Sequence, residues 1–228
     1  MRAIFGAFLL GYLPLLAQGP PPVAGPATKA APTPAPAATT SAQPPQVLST
    51  DIGFSYSLPS DWEFVALPPA PNVFVPYPGA VEAKKGDACV EVVFTAKHGT
   101  PASVVVVMAL PFACYGQTMT PGDLANFDAG ASEGLKQAFD VADPVEGNYT
   151  LGSHAVWIER AKGTPKGHTD KPFIFETVCT VLAKGAVCWL TMAADSASLR
   201  AFETAPVTLD GEISPELVPS RAFLHDSK

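Results

Sequence analysis

One segment of the sequence has the pattern of a hydrolase nucleophile. Residues 130–134, GASEG, match G-x-S-x-G with Ser132 at the centre. The other residues that a Ser-His-Asp triad needs follow in the chain order of α/β-hydrolases: Asp140 or Asp143, then His154 or His168. That chemistry requires the serine on a strained strand-to-helix turn, exposed above a parallel sheet. Here the motif falls inside a predicted helix, so the pattern favours a helix with small residues against a sheet. A serine hydrolase using Ser132 is the alternative.

A second candidate site is a basic loop in an acidic region of the chain. Residues 162–171, KGTPKGHTDK, carry three lysines and a histidine that could hold an anionic ligand or an acidic partner: Lys162, Lys166, His168 and Lys171. Such a run is more often a solvated hairpin loop, and the pattern favours that interpretation. His168 and Asp170 are two potential metal ligands, which is too few to define a site. We therefore predict neither a metal nor a cofactor.

The four cysteines have the spacing of disulfides rather than of a zinc site, because no C-x-x-C occurs. Cys179 and Cys188 lie on the two arms of a tight predicted hairpin. A four-residue turn over residues 182–185 would place them directly opposite each other, and we expect a shorter turn to displace them. Cys89 and Cys114 lie near the outer ends of an earlier hairpin. Among the three connectivities we favour 89–114 with 179–188, and buried free thiols are the alternative.

The three tryptophans, Trp62, Trp157 and Trp189, each lie in or beside a predicted strand. This position is typical of core aromatic residues. A small-ligand or carbohydrate-binding protein would need two of them exposed on one face, and the sequence leaves this alternative open.

Strands and helices of regular pattern position these residues. Phe54, Tyr56 and Leu58 alternate with polar residues as in a half-buried strand, which Pro59 ends. Thr120-Pro121-Gly122-Asp123 is a strong helix start, and we expect that helix to end near Phe139. The other predicted elements are strands over 89–96, 103–110, 153–161, 173–182 and 186–194, and a short helix from residue 195 or 196 to 202. This order predicts an α+β fold, an antiparallel sheet flanked by helices.

The stretch GFSYSLPSDW at residues 53–62, followed by a hairpin, a central helix, a three-stranded meander and a final helix, resembles the PsbP-like fold family. That family is named for an extrinsic subunit of photosystem II, and a Ran-binding import factor shares its fold. The resemblance covers residues 48–205. It implies an α/β/α sandwich, and binding or assembly roles rather than catalysis.

The N-terminus has the layout of an export signal. Arg2 precedes an apolar run over residues 3–16, and cleavage is expected after Ala17, with a later cut near Gly25 or an uncleaved anchor as alternatives. Residues 18–46 contain nine prolines and eight alanines, which predicts an extended linker before a domain at 47–228. We therefore expect a secreted or periplasmic protein, with no membrane span after cleavage.

The net charge of the predicted domain limits the classes of partner that it can bind. It carries 12 basic and 21 acidic residues, a net charge of −9. This charge disfavours nucleic acid and anionic membranes, which require a basic face. Together with the family resemblance, it leads us to expect a non-enzymatic module that binds a protein partner at the cell envelope.

Overall fold

The computed structural model describes residues 46–49, 51–65, 89–100, 102–167, 171–219 and 222. The predicted signal peptide, the predicted linker up to residue 45, and His168 lie outside these residues. The strands are β1 (Gln46–Ser49), β2 (Phe54–Leu58), β3 (Glu63–Phe64), β4 (Glu91–His98), β5 (Ser103–Pro111), β6 (Phe139–Leu151), β7 (His154–Pro165), β8 (Phe173–Leu182), β9 (Gly185–Ala193), β10 (Val207–Leu209) and β11 (Glu212–Ser214). The helices are α1 (Phe112–Tyr115), α2 (Leu124–Ala138) and α3 (Ser196–Glu203), with a 3-10 turn (Pro121–Asp123) directly before α2.

The strands form two antiparallel sheets. The large sheet has seven strands in the order β3-β4-β5-β9-β8-β7-β6, and the small sheet has four in the order β1-β2-β10-β11. Sheets of this kind with few helices make the described part of the chain a β-rich α+β structure. Among the described residues, no helix is both long enough and apolar enough to span a membrane.

The large sheet is covered on both faces, because alternate residues of its central strands enter different clusters. On β5, Val105 and Val107 pack with Phe54, Tyr56 and other residues of the small sheet and with α3. Met108 and Leu110 of the same strand pack on the other face with Leu124 and Phe127 of α2. The helices α2 and α3 therefore lie on opposite faces, and α3 shares its layer with the small sheet. This double coverage explains the near-continuous valines of β5.

Several predicted elements are confirmed. Strands β2 and β8 have the predicted bounds, and β4 and β5 form the predicted hairpin. The backbone N–H and the hydroxyl of Thr120 both donate to Oδ2 of Asp123 at 2.8 Å, which fixes the predicted helix start. The first turn is a 3-10 turn rather than α-helix. The second predicted helix start is confirmed at Asp195, whose side chain accepts a hydrogen bond from the Ser198 backbone.

The longest difference from the sequence expectation is β6, which follows α2 directly and was not predicted. Most of its residues are exposed because it is the outer edge of the sheet, so it has no clear alternation of apolar and polar residues. Pro144, which indicates an interruption, is accommodated at a bulge between Ala142 and Val145. Asp143 at this bulge has a φ of 53°. A proline at a bulge on an edge strand leaves no ladder hydrogen bond unmade.

Of the four strands of the small sheet, only β2 was predicted from the sequence. Its strands β1, β10 and β11 are three or four residues long, too short to establish a period. Strand β10 pairs with β2 through Val207 and Tyr56, and this pair joins the end of the described chain to its beginning. The weakly patterned region after residue 206 therefore completes the core.

The two disulfides have the pairing that the sequence favours, Cys89–Cys114 and Cys179–Cys188. Cys179 and Cys188 are directly opposite on β8 and β9. The turn between these strands has two residues, Ala183 and Lys184, and Leu182 pairs with Gly185. The expectation that a turn shorter than four residues would displace the cysteines was wrong, because a two-residue turn centred at the same point keeps the register.

Candidate ligand-binding cleft

An open cleft of about 740 Å³ lies between α2 and the β6–β7 hairpin. Its size is in the range of small-molecule sites. Asp128, Trp157 and Glu159 line it, and Lys136 and Phe139 also contribute to its walls. The cleft thus combines the buried carboxyl group of Asp128 and the half-buried Glu159 with aromatic surface.

The helix and the strand bring these residues together in a simple way. Leu124 lies one turn before Asp128 in α2, and both are buried because this side of the helix packs on the sheet. On β7, Trp157 and Glu159 are two residues apart, so their side chains leave the same face of the sheet. That face is the one that α2 covers, since Trp157 packs with the cluster that contains Leu124. Thr177 lies opposite Glu159 on β8.

Asp128 is the most unusual group in the cleft, since it is an acid with only 1% of its surface exposed. Its Oδ2 accepts a hydrogen bond from Nε1 of Trp157 at 3.1 Å, while Oδ1 has no hydrogen-bond partner among the described residues. Burial raises the pKa of Asp128 to about 8. The neighbouring Glu159 carboxyl adds to the rise in pKa, and the hydrogen bond from Trp157 and the nearby Thr177 oppose it. Asp128 and Glu159 therefore act as a pair that retains a proton near neutral pH.

The rim of the cleft carries both signs of charge. Asp140 and Glu146 of β6 are exposed, as are Lys136 and Lys166. Nζ of Lys166 donates to the backbone carbonyl of Lys136 at 2.8 Å, which joins the end of β7 to the last turn of α2. Counting Asp128 and Glu159, the lining contains four acids and two lysines.

Ser132 lies inside α2 and not at a strand-to-helix turn. It is buried, and its hydroxyl is 3.5 Å from the carbonyl oxygen of Ala129 one turn earlier. His154, a predicted triad partner, instead contacts Asp210 and Glu212 at the β10–β11 turn. The other predicted histidine, His168, lies outside the described residues. The described residues therefore give Ser132 no nucleophile-elbow geometry.

The basic loop is divided in the structure. Lys162 lies within β7, where its ammonium is 3.8 Å from Oδ2 of Asp143. Lys166 follows the end of β7 and joins the rim of the cleft. Lys171 is exposed, and its charge acts on Asp195 at the start of α3. The three described lysines have different neighbours, and only Lys166 contributes to the cleft.

Two of the three tryptophans are core residues, as predicted. Trp189 is fully buried and packs edge-on against Phe54, and Trp62 is buried against Phe202. Trp157 is half-buried and lines the cleft. Within the described residues, which include all three, there is no pair of exposed tryptophans that could form a carbohydrate platform.

A second buried charged cluster lies on the opposite face of the large sheet and ties it to α3. Nε of Arg160 donates to Oε2 of Glu176 at 3.0 Å, and Nη2 of Arg160 also donates to Glu203. Glu176 is completely buried, which raises its pKa to about 8; Glu203 adds to this rise and Arg160 opposes it. Because the charges of this cluster pair with one another and α3 completes it, we assign it a structural role.

Sequence reasoning missed both acids of the cleft. Asp128 follows Phe127 and lies four residues after Leu124, so it falls on the edge of the apolar stripe of α2. An acid at such a position is a detectable signal. The identity of its partners, Trp157 and Glu159, depends on how the helix packs on the sheet, which periodicity does not reveal.

Among the described residues, no three His, Cys, Asp or Glu side chains are grouped as metal ligands. Comparison of the chain with models of protein families gave no match, and comparison with curated protein sequences gave none either.

Proposed function

We propose that this chain is an exported, non-enzymatic binding module of the cell envelope, and that it binds its ligand in the cleft between α2 and the β6–β7 hairpin. The observation that carries this proposal is the open cleft itself, whose lining includes the buried Asp128 and the half-buried Glu159. Buried polar groups without full hydrogen bonding are costly in a fold that needs them only for stability. A function in ligand recognition accounts for that cost.

The proposal of export is supported by the two disulfides and by the sequence of the first 46 residues. Disulfides persist in oxidising compartments such as the periplasm or the extracellular space. The apolar run before Ala17 and the proline-rich segment after it suit a cleaved signal followed by a tether. The mature N-terminus, sequenced from protein of the envelope fraction, is expected at Gln18. An intact Met1 in that fraction would contradict cleavage.

We further propose a PsbP-like fold. Two observations support this fold. Helices α2 and α3 lie on opposite faces of an antiparallel sheet, and strand β2 ends at Leu58, directly before Pro59. The small sheet beside α3 is an addition to a simple α/β/α sandwich. In keeping with the family resemblance, we propose that the module binds a partner and does not catalyse a reaction.

Photo-cross-linking tests the position of the binding site. A benzophenone amino acid is placed at Asn126, an exposed residue that lines the cleft, and at Ile213, an exposed residue of the small sheet on the other face. After irradiation in cells of the source organism, intact-mass and gel analysis reports adducts of any size. We expect a discrete adduct from position 126 and none from 213. Equal labelling at both positions, or none at 126, would contradict the proposal.

A further inference from the structure

We propose that the cleft binds a cationic group, a primary ammonium or a guanidinium, between the carboxyl groups of Asp128 and Glu159. This inference rests on the proposed function, because it names the ligand class of the same cleft.

The first argument is the unmet bonding capacity of Asp128. The residue is almost fully buried, Trp157 occupies its Oδ2, and its Oδ1 has no partner among the described residues. A carboxylate in such a position needs a cation or a proton, since the cost of burying an unpaired charge is large. An ammonium provides three N–H donors and a guanidinium five.

The second argument is the neighbouring acid. Glu159 lines the same cleft as Asp128, and its charge adds to the rise in the pKa of Asp128. The raised pKa of Asp128, about 8, keeps a proton on this carboxyl at neutral pH in the free protein. A cation placed between the two would offset both negative charges and take the place of that proton.

The third argument is that no cation of the described residues occupies this position. Among the described residues, neither Asp128 nor Glu159 forms an ion pair there, and Lys136 of the cleft wall pairs with neither. Lys166 donates to a backbone carbonyl and Arg160 points to the opposite face of the sheet. The free protein therefore leaves this bonding position to a ligand.

The charge of the whole cleft also favours a cationic ligand. Four acids and two lysines line it, so an anion would be repelled overall. The half-buried ring of Trp157 adds aromatic surface, which attracts ammonium and guanidinium groups. A neutral ligand would leave the proton on the carboxyl pair and would gain no charge–charge attraction from it.

Binding then has a proton balance that can be measured. At neutral pH the pair holds one proton. The incoming cation carries its own charge, and the pair releases its proton to the buffer as both carboxylates become ionised. Only the carboxyl O–H bond is broken, and the buffer base accepts the proton. A cation that adheres only to exposed acids of the rim would leave the buried proton in place and would release none.

The test uses the mature protein and three probes: N-acetyl-lysine methylamide, N-acetyl-arginine methylamide and the neutral N-acetyl-norleucine methylamide. The readout is the indole N–H signal of Trp157 in nitrogen-15 spectra, assigned with the variant Trp157→Phe. Calorimetry in phosphate and in Tris at neutral pH measures proton release, because the two buffers differ in ionisation enthalpy. We expect both cationic probes to shift the Trp157 signal and to release a proton, and the neutral probe to do neither.

Matched variants locate the site. Asp128→Asn and Glu159→Gln are each expected to weaken binding of the cationic probes at least about tenfold. Glu63→Gln removes an exposed acid whose only described ion pair is with Lys97, and should leave binding unchanged. Because Asp128→Asn alters a buried group, the half-buried Glu159→Gln keeps the test valid if the first variant fails to fold.

Each outcome decides the inference. If the cationic probes leave the Trp157 signal unmoved up to about 10 mM, if the neutral probe binds equally well, or if Glu159→Gln binds like the wild type, the cationic class is overturned. An adduct at position 126 alongside such a result would show that only the ligand class is wrong. A missing adduct together with unbound probes would overturn the proposed function too.

Discussion

The indole N–H of Trp157 donates to Oδ2 of Asp128 at 3.1 Å, which joins the first half of β7 to the second turn of α2. This bond spans the base of the cleft. Because Asp128 is buried, water cannot readily replace the bond if it is lost. It therefore links the stability of the helix packing to the state of the carboxyl pair.

Replacing Trp157 by phenylalanine should lower the free energy of unfolding by about 1–2 kcal/mol, because a buried acceptor loses its donor. The pKa of Asp128 should rise further, since the hydrogen bond from Trp157 lowers it. Urea unfolding at neutral pH and a carbon-13 titration of the Asp128 carboxyl measure the two effects. In a protein that already carries Asp128→Ala, Trp157→Phe should lower the free energy of unfolding by less than it does in the wild type. Equal costs in both backgrounds would show that the two residues are not coupled.

The stability of the protein should fall as the pH rises from about 5 to 9. The pKa values of Asp128 and Glu176 are both raised to about 8 from ordinary values of 3.8 and 4.5, so the folded state binds more protons than the unfolded state in this interval. Their contribution is complete below the ordinary values and is lost as the pH passes the raised ones. Thermal unfolding followed across this range should show a falling midpoint.

Glu176→Gln and Asp128→Asn should each flatten that pH profile, because a neutral amide does not titrate. Glu212→Gln is the control. The pKa of Glu212 is lowered, mainly by its hydrogen bonds from Ser153, so its influence lies below pH 5. A profile that rises with pH, or stays unchanged in both amide variants, would contradict the assignment of raised pKa values.

Gly163→Ala should destabilise the protein by about 1–3 kcal/mol, as overpacking of a filled core does. An added Cβ at this position on β7 would overlap the ring of Phe175. Phe175 in turn packs edge-on against Phe139, with ring centres 4.9 Å apart, and has little freedom to move. Gly122→Ala is the control, since its nearest neighbour would be Oγ1 of Thr120 at an ordinary 3.6 Å. Urea unfolding compares the two variants.

A second variant separates the overlap from other effects of Gly163→Ala. Phe175→Leu in the same chain should recover part of the loss, because the smaller side chain makes room for the methyl group. If Gly163→Ala lowers the free energy of unfolding no more than Gly122→Ala does, Phe175 does not pack closely on Gly163.

The two disulfides should differ in their resistance to reduction. Cys179 and Cys188 are both fully buried, whereas Cys114 is exposed. Because exchange requires a thiolate to reach a sulfur atom, dithiothreitol should open the 89–114 bond first in the folded protein. Alkylation and peptide mapping at successive times would show this order. In strong denaturant both bonds should open at similar rates, and the reverse order in the folded protein would contradict the burial.

The parts of the fold that could be predicted are those with a local signal. Thr120 and Asp123 interact within one turn, and the alternation in β2 lies within five residues. Strand β6 could not be found in this way, because an edge strand need not alternate and Pro144 indicates a break. The small sheet depends on Val207 pairing with Tyr56, far away in the sequence.

The candidate site was less predictable than the fold. The basic loop was a candidate ligand site because its charges are close together in the sequence. In the structure, Lys162 lies near Asp143, whereas Lys171 acts on Asp195. The acids of the cleft are 31 positions apart, at 128 and 159, and nothing in the sequence pairs them. Ser132 is the opposite case, a sequence motif without the matching geometry. The G-x-S-x-G pattern indicates a nucleophile only on a strained strand-to-helix turn, and Ser132 lies inside the regular helix α2.

The outer strand β6 also has a consequence for aggregation. Among the described strands, none pairs with the outer edge of β6, and such an edge 13 residues long would ordinarily recruit the edge of another copy. The bulge at Asp143 and Pro144 interrupts its row of backbone donors and acceptors, and Pro144 has no N–H. Exposed carboxylates at Asp140 and Glu146 repel a second edge of the same kind. The acids that give the cleft its charge thus also protect the edge of the sheet from self-association.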